Sequence, residues 1–453
     1  MSPCRTAANT KFELKPMYAL CRMIAVLLIV LAWDARIDAG AAEKPSEKVL
    51  HSWYQLTLEL VRHTPTYSPP VASRAFAYLG TTAFEAVATG SEELISLAGQ
   101  LTELGTVPRR TRGQTYNDAV VINAAMALAA QRLFNNTGPS GQRALRKLEA
   151  KLGAEMSAGL MPDVVARSQS HGRDVARHVL AWSRSDGGSA VENMGFPLEY
   201  KLSEGAARWV PTSTIAQQQK PLLPRWGENR SFAMPNAAAC DLPAPPHYSE
   251  EKSSPFYREA LEVYDLSRNL SAEQRAIARF WSDDPMLSPT PPGHWISIAL
   301  QILKRENASL ERSVELLARL GVTLADSFIA CWETKYQYDL LRPVTYIRRV
   351  IDPKWESLIS TPPFPEYPSG HSTQSAAAAA VLTFMFGDNY EFEDKTHERD
   401  GIVPRRFSSF WAAAEEAAIS RLYGGIHFRT AIKRGLEQGR CVSTFALALR
   451  MRR

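Results

Sequence analysis

The chain has 453 residues, which admits two domains or one large helical one. Its 52 Lys and Arg against 47 Asp and Glu leave a mild, dispersed excess of +5, too weak to select nucleic acid as a partner. Five cysteines, two of them (Cys4 and Cys21) near the N-terminus and the other three without metal-ligand spacing, exclude a disulfide-stapled fold and a cysteine zinc site.

Residues 1–41 have the pattern of an export signal. Arg22 precedes the apolar run Met23 to Trp33, and Ala39-Gly40-Ala41 offers a small-x-small cleavage site, with Met17 as an alternative start. Eleven apolar residues fall short of the roughly twenty a membrane span needs, and no later stretch is apolar enough. Without these residues the charge is near +3. Residues 42–189 are expected to form an N-terminal helical domain, with apolar residues at three- and four-residue spacing over His51–Arg62, Ala72–Ala88, Thr115–Phe134, Gly141–Glu155 and Asp163–Trp182. His171, Asp174 and His178 have the spacing of a metal-binding face, but a solvated face shared with Arg173 and Arg177 explains them as well.

Residues 190–255 change character: prolines cluster and apolar periodicity fades, predicting a long irregular connection that borders the functional region. Helices resume over residues 256–453, the C-terminal helical domain, and Ser271 with Gln274 predicts a capping box. The spacing predicts one long helix from Leu310 to Leu341, a charged exposed loop from Gly387 to Pro404, and a closing helix from about Phe428. Cys331 and Cys441 read as packed thiols, and His294 as a rim residue. With Cys240, Cys331 and Cys441 remaining, at most one disulfide can form. The expected fold is therefore all-α, two helical bundles with the functional site in the core of the C-terminal one.

Three pieces of this second half carry the chemistry. Lys335 and Arg342-Pro343 are seven apart, which on one helix places the two cations on one face about 10 Å apart along the axis. Pro368-Ser369-Gly370-His371 follows a proline-rich approach and precedes the helix-forming run Ala376 to Ala380. Ser369 and Gly370 thus fall at a helix N-terminus, where free N–H groups and the helix dipole favour an anion. Ser420-Arg421 is followed by Gly424-Gly425 and His427. Three cations, a hydroxyl, backbone N–H groups and two histidines suit phosphate or an anion of its shape.

In this order and spacing, the three pieces resemble the signature of the vanadium-dependent haloperoxidases, type 2 phosphatidic acid phosphatases and bacterial acid phosphatases. The resemblance runs from about Arg208 to Arg440, and Trp209-Val210-Pro211-Thr212 and Leu223-Pro224-Arg225-Trp226-Gly227 are similar to segments of the soluble bacterial haloperoxidase-like branch. It implies that Lys335, Arg342, Ser369, Gly370 and Arg421 bind the oxygens of vanadate or phosphate. It makes His427 the apical residue, the vanadium ligand if the cofactor is vanadate, and His371 the acid–base group. Trp332 and Phe364 match an aromatic pair on the halide side, and Asp283 or Asp284 an acid that orients Arg342 or Arg421. Ala431 departs from the pattern, since the family usually has an aspartate there to orient the second histidine. An aspartate restored at 431 is expected to raise activity unless another group already fills that role.

The resemblance leaves three functions open. One is an exported haloperoxidase that uses vanadate, hydrogen peroxide and halide. Another is a phosphomonoesterase acting through a phosphohistidine at His427, with phosphate esters as substrates. A third is a non-catalytic oxyanion-binding protein. No nucleic acid partner and no membrane span in the mature chain are expected, and the sequence is silent on oligomeric state.

Overall fold

The helices of the first half follow the expected periodicity. The computed structural model describes residues 44–213 and 215–453, so the export segment lies outside the described residues. The first six helices are α1 (Pro45–Arg62), α2 (Pro69–Ala88), α3 (Asp118–Leu133), α4 (Pro139–Ser157), α5 (Pro162–Ser183) and the single turn α6 (Gly188–Val191). Proline in the first turn opens α2, α4 and α5, where its missing N–H costs nothing. Irregular chain with three 3-10 turns then leads to α7 (Pro255–Arg268), α8 (Ala272–Phe280), α9 (Thr290–Arg305), α10 (Leu310–Tyr338) and α11 (Pro343–Val350). The chain ends with α12 (Gly370–Phe386), the strands β1 (Phe392–Asp394) and β2 (Arg405–Phe407), α13 (Phe410–Tyr423) and α14 (Arg429–Leu447). The fold is all-α apart from this short antiparallel pair. The capping box at α8 is present, with Ser271 and Gln274 each accepting the other's backbone N–H.

Helix α10 is the shared wall of the molecule. One side packs on α2 and another on α12 and α14. The crossing with α2 is backbone against backbone: a Cβ on Gly80 would lie 2.6 Å from the Leu317 carbonyl oxygen, and one on Gly321 2.6 Å from that of Phe76. The same device sets α14 on α12, where a Cβ on Gly435 would come within 2.7 Å of the Ser369 carbonyl oxygen. Buried Gln438 ties the layers together, accepting from Thr373 on α12 and donating to the Ala330 carbonyl and Thr334 hydroxyl of α10. One hydrophobic cluster runs from α1 through α14, and Pro45–Arg453 pack as one unit.

Four expectations are corrected. The long helix ends at Tyr338, not Leu341: Asp339 adopts a left-handed conformation (φ 46°), and Leu340 beyond it is bridged to Arg208. Pro343 opens a new helix with Arg342 at its N-cap, so Lys335 and Arg342 belong to different elements. Cys441 is not a packed thiol; it forms a disulfide with Cys240, while Cys331 is free and buried. The bond closes a 201-residue separation, onto α14 from the proline-rich connection. Replacing Cys240 and Cys441 together with Ala is expected to lower stability by ~2–4 kcal/mol, the usual range for loop-closing bridges, as measured by denaturant unfolding. Finally, the loop from Gly387 to Pro404 is not simply exposed: Asp394 and His397 are buried within it.

The candidate oxyanion site

The site forms where the ends of α10, α11, α12 and α13 meet the loops before α12 and α14. None of Lys335, Arg342, Ser369 or Arg421 exposes more than 1% of its surface. Arg342 reaches the site because the break after α10 is held by the proline-rich connection: Trp209 N–H donates to the Asp339 carbonyl and Leu341 N–H to that of Ala207. The connection also borders the loop before α12, where Leu222 N–H donates to the Pro363 carbonyl.

Each predicted residue can now be placed. Lys335 donates to the carbonyls of Pro365 and Glu366 at 3.0 Å and to that of Pro368. In this arrangement it shapes the loop that delivers Ser369, and it must release a carbonyl to meet an anion. Burial pushes its ammonium down to about 7. Arg342 donates through Nε to the Phe364 carbonyl and through Nη1 to that of Ile426, while its buried Nη2 has no partner. Arg421 donates to Ser420 and to the Trp281 carbonyl. Burial pushes both guanidiniums down to about 10. Ser369 caps α12, its oxygen accepting Ser372 N–H, and Gly370 opens the helix with room for only an ordinary contact against Trp332. Trp332 and Phe364 pack with ring centroids 5.0 Å apart, and the Lys335 ammonium lies 6.0 and 5.2 Å from them.

His427 follows the turn at Gly425, whose φ of 77° suits glycine. Its Nε2 lies 3.2 Å from Arg342 Nη1 and its Nδ1 2.8 Å from Glu366 Oε1. Arginine can only donate, so Nε2 carries a lone pair and the ring proton sits on Nδ1, donated to Glu366. Glu366 Oε1 also accepts Phe428 N–H, and its Oε2 has no partner. Burial pushes Glu366 up to about 8, against the pull of Arg342. Burial, Arg342, Lys335 and Arg421 hold the His427 ring well below its ordinary range. Glu366 is the functional residue the sequence reading missed. It performs the orienting role expected of an aspartate at 431, and Ala431 instead receives Ser369 N–H on its carbonyl. The signal was a lone acid amid the apolar and proline-rich Phe364-Pro365-Glu366-Tyr367-Pro368.

His371 keeps 16% of its side chain open, and its Nε2 lies 3.8 Å from Asp283 Oδ2 without a hydrogen-bond partner. Its enclosed position and Arg421 hold the ring well below its usual range, opposed by Asp283 and the Trp281 carbonyl. Asp283 forms no hydrogen bond with Arg342 or Arg421 among the described residues. It accepts from His294 Nδ1 at 2.9 and 3.1 Å and from His397 Nε2 at 3.2 Å. Asp284 is half-buried beside Arg421, and its carboxyl is pushed up by burial. His294 is not at a rim; it is fully buried, stacked on Trp281 at 4.5 Å. Outside this region His171 is buried and bonded to Thr89, with Asp174 paired to Arg177 and His178 near the Gly105 carbonyl, so these three do not converge on a metal.

The arrangement fits a tetrahedral or trigonal oxyanion on this chain's own evidence. Arg342 Nη2 and His371 Nε2 lack partners, burial depresses the Lys335, Arg342 and Arg421 cations, and the His427 Nε2 lone pair faces Arg342 beside the N-terminus of α12. Fold and site together define a helical-bundle protein of the haloperoxidase and type 2 phosphatidic acid phosphatase superfamily. Residues 315–453 match the family described as the VCPO second helical-bundle domain. A crystal structure described as the first bacterial vanadium-dependent iodoperoxidase superposes with a TM-score of 0.82 and 36% identity, covering 89% of this chain and 97% of that one. A holo-type bacterial vanadium-dependent chloroperoxidase shares the fold, with a TM-score of 0.66 and 18% identity over 86% of this chain and 95% of its own. The vanadium chloroperoxidase of Curvularia inaequalis is 26% identical over 224 residues, a match that takes in 36% of this chain and spans only 37% of that relative. The chain belongs to the vanadium-dependent haloperoxidase family.

Proposed function

We propose that this protein is an exported, vanadate-dependent haloperoxidase that oxidises halide with hydrogen peroxide. The observation that carries the reading is His427, whose Nε2 lone pair is fixed by Glu366 on the far side of the ring and surrounded by buried cations. Arg342, Arg421, Ser369, the N-terminal N–H groups of α12 and a released Lys335 would hold the oxygens of vanadate, with His427 Nε2 as its ligand. When bound, vanadate supplies a Lewis-acidic centre at which peroxide, halide and a proton are converted to hypohalous acid and water. His371 Nε2 is the free base in this pocket, able to take and return the protons of peroxide. The Trp332–Phe364 pair gives the pocket an apolar, weakly hydrated flank suited to halide. The 36%-identical relative described as an iodoperoxidase makes iodide the halide to try first.

Export rests on the N-terminal pattern and is supported by the Cys240–Cys441 disulfide, a bond that persists in oxidising compartments. No helix among the described residues is long and apolar enough to cross a membrane. Mass spectrometry of the exported form is expected to show the chain starting near residue 42; a retained Met1 or Met17 would contradict this.

Activity is tested by adding orthovanadate to the purified protein and assaying iodide oxidation and monochlorodimedone halogenation beside p-nitrophenyl phosphate hydrolysis. Vanadate-dependent, peroxide-dependent halide oxidation is the expected result. Phosphate-ester hydrolysis with no halide oxidation would establish the phosphatase instead, and vanadate or phosphate binding without either turnover the oxyanion-binding protein.

A further inference from the structure

Behind His371 lies a second set of buried ionisable groups that the oxyanion cage does not use. His294 presents Nδ1 to Asp283 at 2.9 Å and Nε2 to Asp394 Oδ2 at 2.7 Å, and all three side chains are at most 1% exposed. Ionised carboxylates only accept, so both ring nitrogens carry protons and His294 is an imidazolium between two carboxylates. Burial alone would push it down; Asp283 and Asp394 raise it to about 10. With both nitrogens protonated, the ring has no lone pair for a metal, although Asp283, His294 and His397 lie close enough to suggest one.

The chain is anchored at both ends. Asp394 closes β1, and its Oδ1 accepts both the backbone N–H (2.9 Å) and the hydroxyl (2.6 Å) of Thr396. Asp283 has a φ of 49°, in the left-handed region, and its Oδ1 is taken by His294 and His397. Its Oδ2 lies 3.8 Å from His371 Nε2. The Trp281 carbonyl favours a protonated His371 ring, and Nε2 has no hydrogen-bond partner. With the ring proton on Nδ1, Nε2 is bare and faces an acceptor across this long separation. A proton gained at Nε2 turns the same pair into a charge-assisted hydrogen bond.

We propose that His294 and Asp394 are positioning residues that hold the Asp283 carboxylate in place to receive the His371 Nε2 proton. This rests on the catalytic reading of His371 given above. The groups facing His371 are Asp283, Arg421, His294, His427 and the Trp281 carbonyl; those facing His294 are Asp283, Asp394 and His397. Two carboxylates and one imidazolium leave a net negative charge at its Asp283 end. Removing the charge of Asp394 weakens the hold on His294 and frees Asp283 to turn.

The test uses the full mature protein, wild type and Asp394→Asn, with 15N-labelled histidine. In the vanadate-free wild type, the His294 ring nitrogens should both report N–H through pH 8. In Asp394→Asn they should lose this signature, and the His371 ring signals should shift. With vanadate, Asp394→Asn should retain the anion yet lose about 10–100-fold in kcat, a magnitude typical of outer partners of site residues, with the His371-dependent limb of the pH profile displaced. Thr396→Val, which removes one bond to Asp394 and no charge, should move both readouts in the same direction by less, and it serves if Asp394→Asn does not fold. A neutral His294 at pH 7 in the wild type would overturn the proposal. So would a pH profile and His371 signals unchanged by both variants. If no turnover exists in the wild type, the functional reading fails, and the histidine signals still decide the clamp.

Discussion

His371→Ala is expected to retain vanadate while losing about 10²–10⁴-fold in halide-oxidising turnover, the range an acid–base group usually contributes. Retention follows from the geometry: the cations, Ser369 and His427 Nε2 are independent of the His371 ring, which contacts Asp283 and the Trp281 carbonyl instead. His427→Ala should show the opposite split, with vanadate lost on dialysis, because the nitrogen proposed to coordinate it is gone. Equilibrium dialysis and steady-state rates on the two variants separate these outcomes. Should the protein prove a phosphatase, both variants should still bind phosphate. Acid quench with labelled ester should then mark His427 in the wild type and nothing in His427→Ala. Equal loss of anion binding in both variants would sink the division of roles.

Glu366→Ala is expected to weaken vanadate binding by about 10–100-fold, the usual cost of removing the partner that orients a metal-binding histidine. Without that carboxylate, His427 Nδ1 has no acceptor 2.8 Å away, and the ring is free to move its proton or turn. The Phe428 N–H, which shares Glu366 Oε1, is left buried and unpaired as well. Glu366→Gln should fall between the wild type and Ala, since its amide oxygen can still accept from Nδ1 when the NH2 group is turned away. Vanadium NMR or dialysis of the purified variants measures this. Ala431→Asp, expected from the family pattern to raise activity if nothing else oriented His427, should instead give no gain. Ala431 is fully buried, and a second carboxylate would have to be desolvated near Glu366. Higher activity in Ala431→Asp would mean that Glu366 does not hold the ring as the geometry indicates.

Much of the site was legible because its pieces are local. Pro368-Ser369-Gly370-His371 before an alanine run dictates a capped helix N-terminus, and Ser369 is that cap. Pro343 marks a helix boundary at Arg342, although the boundary is the start of α11 and not the end of α10. A proline at the first helical position and one just after a helix stop look alike until Asp339 is seen in a left-handed turn. Periodicity placed most helices within a few residues, since each buries an apolar face against neighbours of the same kind.

The sequence by itself determined the all-α class, the helix boundaries set by prolines and caps, and the set of cations, hydroxyl and histidines that suits an oxyanion. These depend on residues within a turn or two of one another, or on residue type alone. Only the tertiary structure decided what those groups touch. Glu366 and His427 are 61 positions apart, His294 and Asp394 are 100 apart, and Cys240 joins Cys441 across 201. Pairings at such separations are set by how α10 packs on α2 and α12, where glycines let backbones touch, and no local pattern reports that registry. A charged loop likewise reads as solvated until its Asp394 is seen buried against His294 and its His397 against Asp283.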